Sequence, residues 1–494
     1  MTALQVDAWG LSVAIAAAGG GAAIVLVLDT AFGRADAAAR AGRRRDLLLT
    51  LVSTIALLSA AVAAASVLVT GGAGPGTDAM TALPAVSVVG LALAGVVATW
   101  LSSTYLMALR LPAGPYLALF LLSLAGAFVA VTARHALALF VGAELLAVPA
   151  YFLAGWDRDR ARSNEAGLKA FVLGALASAL LLYGLALLYG ETGRLDHAGL
   201  GEALATRGAL GSIGLGLVLV GLLTKAGLAP FHAWVPDVDE GAPSSATAVL
   251  AVCVRGAFLL VLLRVVVDVL PPEDLALRHV FAGLAVIGVV VGSAMAMVQR
   301  NVKRLLAWGS VAHGGTMVLA FATGGADAYG ALLFYWIAHA VATLGALGVV
   351  VSLAAGGRDL ERLEDFAGIG RARPGLSALM TLFLMGLAGL PGTAGFWARL
   401  LLLRPVVAEG HLVLATVAAL GAVVLVYAYM RVPTMLYMRE APEPETSEAS
   451  TSELAILLVC AALTVYLGVW PDPALPGLSG GLLELLRAAS LSPS

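Results

Sequence analysis

Crossing the hydrocarbon core of a bilayer takes roughly 20 apolar residues of helix, and this chain supplies stretches of that length about fourteen times. The approximate spans are 10–29, 47–69, 86–107, 115–132, 135–154, 167–189, 209–230, 244–270, 278–298, 304–322, 328–355, 375–404, 411–438 and 453–470. The expectation is therefore an all-α polytopic membrane protein. Of 494 residues, 60% are hydrophobic and 12% charged, and the mean hydropathy is +0.95, far from the composition of soluble domains. A soluble chain of this length would divide into two or three domains with polar surfaces. With lipid as solvent, one continuous bundle is expected. The chain enters its first apolar span almost at once with no basic leader, so no cleavable signal peptide is expected.

Loop charge checks the span count. Arg34, Arg40, Arg43, Arg44 and Arg45 fall in the first loop, and Arg158, Arg160, Arg162 and Lys169 in the fifth. Arg300, Lys303 and Arg304 fall in the ninth, and Arg358, Arg362, Arg371 and Arg373 in the eleventh. All are odd-numbered loops, which the positive-inside rule assigns to the cytoplasm, so both termini are expected on the outer side. The seventh loop is the exception. It carries Asp237, Asp239 and Glu240 on the cation-rich side, as a structured or partner-facing element would. The stretch REAPEPETSEAS in the thirteenth loop reads as a soluble linker, and 474–494 as a short amphipathic or frayed tail.

Ionisable residues inside apolar spans are costly and mark ion or proton pathways. Lys225 sits in GLLTKAGLAPFHAW, five residues before Pro230 breaks the span. Glu144 lies deep in LFVGAELLAVPAYFL. The alternatives are a snorkelling lysine and a carboxylate capped at a helix end. The functional reading pairs the two, because a buried acid and base offset each other's desolvation and titrate as a unit. Arg255 and Arg399 also sit in apolar surroundings, but guanidinium keeps its proton and can supply only a fixed field. The span holding Arg399 is interrupted at Gly389-Leu390-Pro391-Gly392. In the seventh span the cation precedes the break and in the twelfth it follows, the mirror relation of an inverted repeat. This rests on position alone, since no residue-level self-similarity stands out. His313 and His339 are either neutral core histidines or relay groups. Lys303 reads as a topogenic or helix-end cation rather than a carrier, while His232 and Asp237 either line a funnel or cap a restarted helix. Cys253 and Cys460 read as small core residues. No basic stripe with interleaved aromatics suggests nucleic acid.

The motif from Lys225 to Asp237, KAGLAPFHAWVPD, resembles the signature of the antiporter-like subunits of respiratory complex I. Its continuation DVDEGAPSSATAVLAV resembles the subunit N branch of NADH-quinone oxidoreductase, as do LKAFVLGALASALLLYGLALLYGETG, QRNVKRLLAWGSVAH and LAGLPGTAGFWARLLLL. The likeness runs from about Glu144 to about Met438. It implies fourteen transmembrane helices and two inverted five-helix repeats, spans 4–8 and 9–13. The divisions would then be 1–114, 115–270, 271–438 and 439–494. It further implies a place in the bacterial inner membrane, beside the other membrane-arm subunits of an enzyme that oxidises NADH, reduces quinone and exports protons. Flavin (FMN) and iron–sulfur clusters would belong to partner subunits, with no cofactor in this chain.

Carried over by position, Glu144 matches the family's fifth-span glutamate and Lys225 its seventh-span lysine. The family's eighth- and twelfth-span lysines fall on Arg255 and Arg399. These two departures leave open a relay through Glu144, Lys225, His313 and His339 with arginine posts, or a subunit that does not pump. A multisubunit cation/proton antiporter or a membrane-bound hydrogenase subunit is a further alternative.

Overall fold

The structure, a computed structural model, describes residues 9–33, 39–71, 79–205, 208–271, 274–354, 359–440 and 449–471. The described residues are helical almost throughout. Helices α1 (Trp9–Gly33), α2 (Ala39–Gly71) and α3 (Ala79–Leu109) are followed by α4 (Ala113–Thr132), α5 (Ala136–Ala154) and α6 (Ala161–Thr192). A short α7 (His197–Ala205) precedes α8 (Ala209–Ala226), and a short α9 (Trp234–Gly241) precedes α10 (Ser244–Ala248). A π-helical stretch, Val249–Val254, joins α10 to α11 (Arg255–Val269). Next come α12 (Leu275–Val298), α13 (Val302–Thr323) and α14 (Gly325–Leu353). The chain ends with α15 (Ile369–Ala372), α16 (Pro374–Ala388), α17 (Ala394–Ala408), α18 (Leu412–Met438) and α19 (Thr451–Val469).

Among the described residues, 13 helices are long and apolar enough to cross a membrane, with α10–α11 counted as one. The expected twelfth span is the remaining one, divided between α16 and α17 as the Gly-Leu-Pro-Gly interruption required. Two helices begin before the apolar core of their spans, α2 at Ala39 and α6 at Ala161. The α7 helix was not anticipated, because nine residues are too few to show a clear apolar period. Most of the thirteenth loop and the 474–494 tail lie outside the described residues.

The helices sort by burial. The α10–α11 span is fully enclosed and α13 nearly so, while α1, α6 and α18 turn most of their apolar surface outward. Apolar side chains therefore cannot drive the arrangement by hiding from water, and close packing of small residues replaces that force. Gly126 on α4 and Gly142 on α5 meet so closely that a Cβ on either would lie inside 3 Å of the other helix's backbone.

Two features recur in the two halves. α8 stops at Gly227 (φ 69°) and α16 at Gly389 (φ 74°), both left-handed. In each, the glycine N–H and the next N–H bond back to carbonyls of the last turn: Gly227 to Thr224 and Leu228 to Leu223, Gly389 to Gly386 and Leu390 to Met385. These are Schellman stops, which glycine takes without Cβ strain, and both carry Ala-Gly-Leu. Secondly, His135 before α5 forms an antiparallel bridge with Asp196, and Asn301 before α13 forms one with Arg362. The bonds match one for one: Ala136 N–H to Leu195 and His197 N–H to Arg134 in the first, Val302 N–H to Glu361 and Leu363 N–H to Arg300 in the second.

Candidate charge-relay site

The stop at Gly227 leaves Lys225 in the last turn of α8, where the exposed carbonyl end of the helix favours a cation. Trp234 uses its indole N–H to satisfy one of those carbonyls, Thr224 O, at 2.9 Å. Lys225 is 3% exposed. Its Nζ lies 3.0 Å from Glu144 Oε1 on α5 and 5.5 Å from the centroid of the Phe258 ring. The approach to Glu144 is off-line for a hydrogen bond, so charge rather than directionality holds the pair. The expected partnership of Lys225 and Glu144 is thus present in the fold.

Glu144 is not sealed in. Its side chain is 28% exposed, on an α5 face that also exposes Leu137, Val141, Val148 and Phe152. Lipid cannot solvate a carboxylate, so this face needs a protein or water neighbour.

Arg255 begins α11 directly after the π-helical turn, a local widening common at functional sites. It forms a two-pronged salt bridge with Asp239 of α9, both N–O distances being 2.7 Å. Asp239 is 1% exposed. Arg399 on α17 donates to the Leu387 carbonyl, at the open end of α16, at 2.8 Å. Each arginine lays its stem against a break glycine. A Cβ on Gly227 would come within 3.0 Å of Arg255 Cδ, and one on Gly389 within 2.9 Å of Arg399 Cδ. Both guanidiniums are fixed charges tied to the broken helices.

His313 and His339 lie side by side, ring centroids 4.7 Å apart. His339 lines a cavity of about 30 Å³ shared with Arg255 and the α8 break, which is room for water. His313 and His339 together line a smaller one that reaches Arg399. The six candidate residues therefore occupy one interior band, in the order Glu144, Lys225, Arg255, His339, His313, Arg399. An alternation of titratable groups, fixed cations and small cavities can move a proton between sites while holding the field that biases it.

The acidic seventh loop is a structured element. Its carboxylates are matched by cations from the surrounding helices: Asp237 by Lys169 and Arg304, Glu240 by Arg304, and Asp239 by Arg255. His232 packs edge-on against Trp308 and stays half-buried, and Asp237, also half-buried, lies in the first turn of α9. Lys303 lies in the first turn of α13, as a helix-end cation would, but it does not face solvent. It is fully buried and donates to Ala242 O at 2.8 Å, with Glu361 Oε1 at 2.9 Å. Arg160 joins Glu361 and Asp359, and Tyr105 and Ser244 donate to Asp359. Proximity to a loop hid this, because Asp359 and Glu361 lie far along the chain. Among the described residues, no group of three or more His, Cys, Asp or Glu is placed to hold a metal ion.

These loop carboxylates set a pH dependence. Burial opposes ionisation of Asp237, but hydrogen bonds from Lys169 and Arg304 outweigh it and hold the carboxyl below 3.8. Burial likewise opposes ionisation of Glu361, and Lys303 and Arg160 hold it below 4.5. A carboxyl with a folded pKa below its unfolded value stabilises above the unfolded value, and loses that contribution as pH falls through the folded one. Hydrogen exchange of 234–241, divided by the intrinsic rate at each pH, should thus stay flat from pH 8 to about 5 and rise only below about 4. A rise between pH 8 and 6 would contradict the assignment.

The fold and the charged band define a multi-pass membrane protein of the antiporter-like class. Residues 133–425 match the family model described as NADH:quinone oxidoreductase/Mrp antiporter, TM, and the chain belongs to that family. It is 38% identical over 405 residues to NADH-quinone oxidoreductase subunit N 1 of Sorangium cellulosum, covering 78% of this chain and 79% of the relative. It is also 38% identical over 382 residues to subunit N 2 of Rhizobium meliloti, covering 77% and 79%. A chain of respiratory complex I from Thermus thermophilus superposes with TM-score 0.78 at 31% identity, over 94% of this chain and 99% of that one. A chain of the Mrp complex from Dietzia shares the fold, with TM-score 0.82 at 19% identity over 96% and 98%.

Proposed function

We propose that this chain is a membrane-arm subunit of a proton-translocating NADH:quinone oxidoreductase of the bacterial inner membrane. The observation that carries this is the Lys225–Glu144 pair at 3.0 Å, buried on the lysine side at the end of a broken helix. Lys225 and Glu144 act as the switching pair. Arg255 and Arg399 act as fixed electrostatic posts, and His313 and His339 hand the proton between them. The partly exposed Glu144 is covered by a neighbouring membrane subunit and receives the charge signal there. FMN and iron–sulfur clusters sit in partner subunits, and quinone is the substrate of the whole complex.

The two halves act as inverted repeats, 115–270 and 271–438, with 1–114 and 439–494 flanking them. The matched break glycines and matched bridges support this division. Both termini face outward, in keeping with the cations of the odd-numbered loops. Affinity isolation from gently solubilised membranes tests the assignment. Recovery with flavin and iron–sulfur subunits and NADH:quinone activity supports it, and recovery with antiporter or hydrogenase subunits overturns it.

A further inference from the structure

Neither arginine can release a proton, so a relay through this chain needs a route past them. His313 is held at both ring nitrogens. Nδ1 lies 2.9 Å from the Tyr335 hydroxyl and Nε2 lies 3.1 Å from the Tyr429 hydroxyl. All three side chains are buried. A neutral imidazole has one N–H donor and one acceptor nitrogen, so one tyrosine donates to the ring and the other accepts from it. Tyr335 and His339 sit one turn apart on α14, and both line the cavity that reaches Arg399. Tyr429 enters from α18 over Gly309, where a Cβ would lie 2.0 Å from its hydroxyl oxygen.

We propose that Tyr335, His313 and Tyr429 form a proton wire leading from the His339 cavity to α18, with both tyrosines as relay residues. The proposal rests on the reading of this chain as a proton-translocating subunit. A proton reaching the Tyr335 oxygen forms a new O–H bond there, while the original phenolic proton moves to Nδ1. The Nε2–H bond breaks and its proton joins the Tyr429 oxygen, whose own proton passes to a water molecule on the α18 side. One proton enters, one leaves, and the ring ends neutral in the opposite tautomer. A second proton cannot follow until both hydroxyls rotate and the tautomer is restored. The wire therefore passes one proton per reset.

The test uses the assembled complex in proteoliposomes with Tyr335→Phe, Tyr429→Phe and His313→Gln. Phenylalanine keeps the ring without the hydroxyl. Glutamine can bond both tyrosines, one through its carbonyl and one through its NH2, but does not exchange tautomers readily. Per assembled complex, the pH gradient formed should fall about tenfold or more in each variant. The Tyr335→Phe/Tyr429→Phe double variant should be no worse than either single, since a wire is cut once. NADH oxidation with an artificial acceptor reports assembly. Unchanged gradients, or losses that multiply in the double variant, overturn the wire. Lys225→Ala separates the two levels: a gradient untouched by that change overturns the underlying reading, whereas loss with Lys225→Ala but not with the tyrosine variants overturns the wire alone.

Discussion

Lys225→Ala should abolish this subunit's contribution to proton export while leaving the complex assembled. At 3.0 Å, and with an effective dielectric of about 20, the attraction between the two charges is about 5 kcal/mol. That is large enough that forming or breaking the pair can drive a proton on or off the lysine. Alanine removes the switch, and Glu144 can take up a proton and stand neutral, so folding survives. Lys225→Arg sharpens the test. Arginine preserves the positive charge and a partner for Glu144 but does not release its proton. It should therefore assemble and still fail to pump, by about tenfold or more in the pH gradient of reconstituted complex. Full pumping by the arginine variant would show that Lys225 acts by charge alone, and full pumping by the alanine variant would remove it from the mechanism.

Asp239→Ala should have the opposite profile, a loss of folding rather than of transport. It leaves the buried Arg255 side chain with its two-pronged partner gone, and breaking such a pair costs about 3–5 kcal/mol. A cost of that size rivals a domain's whole stability, so the subunit should fail to accumulate and the complex should be lost from native gels. Replacing both partners, Asp239→Leu with Arg255→Met, leaves no uncompensated charge and should recover most of the assembly. If the double variant assembles no better than Asp239→Ala, the pair is not what holds α9 to α11.

Much of this was legible in the sequence because the membrane makes charge conspicuous. Glu144, Lys225, Arg255 and Arg399 stand out against apolar neighbours, and Pro230 and Gly389-Leu390-Pro391-Gly392 mark the breaks beside them. Subtler features required the fold. Asp239 looked like one of three loop acids, and only the turn of α9 onto α11 shows which cation it serves. Lys303 looked topogenic because it begins a helix near other cations, and its carboxylates arrive from the segment after α14. Tyr335 carried a faint signal, four residues before His339 and so on the same helical face. Tyr429 carried none, being distant in sequence from everything it touches. The mirrored positions of the two breaks were legible too, but the matching stops and bridges were not, because backbone hydrogen bonds make them.

The twin bridges give the protein an internal ruler. By helix order, the bridge of His135 with Asp196 and that of Asn301 with Arg362 sit at opposite ends of the bundle. Each is closed by two backbone amides in the same bonding pattern. Exchange rates at Ala136 and His197, each divided by its intrinsic value, can thus be compared as a ratio with those at Val302 and Leu363 in a single sample, cancelling detergent and temperature to first order. During turnover, a drift in that ratio would tell which end of the molecule loosens first.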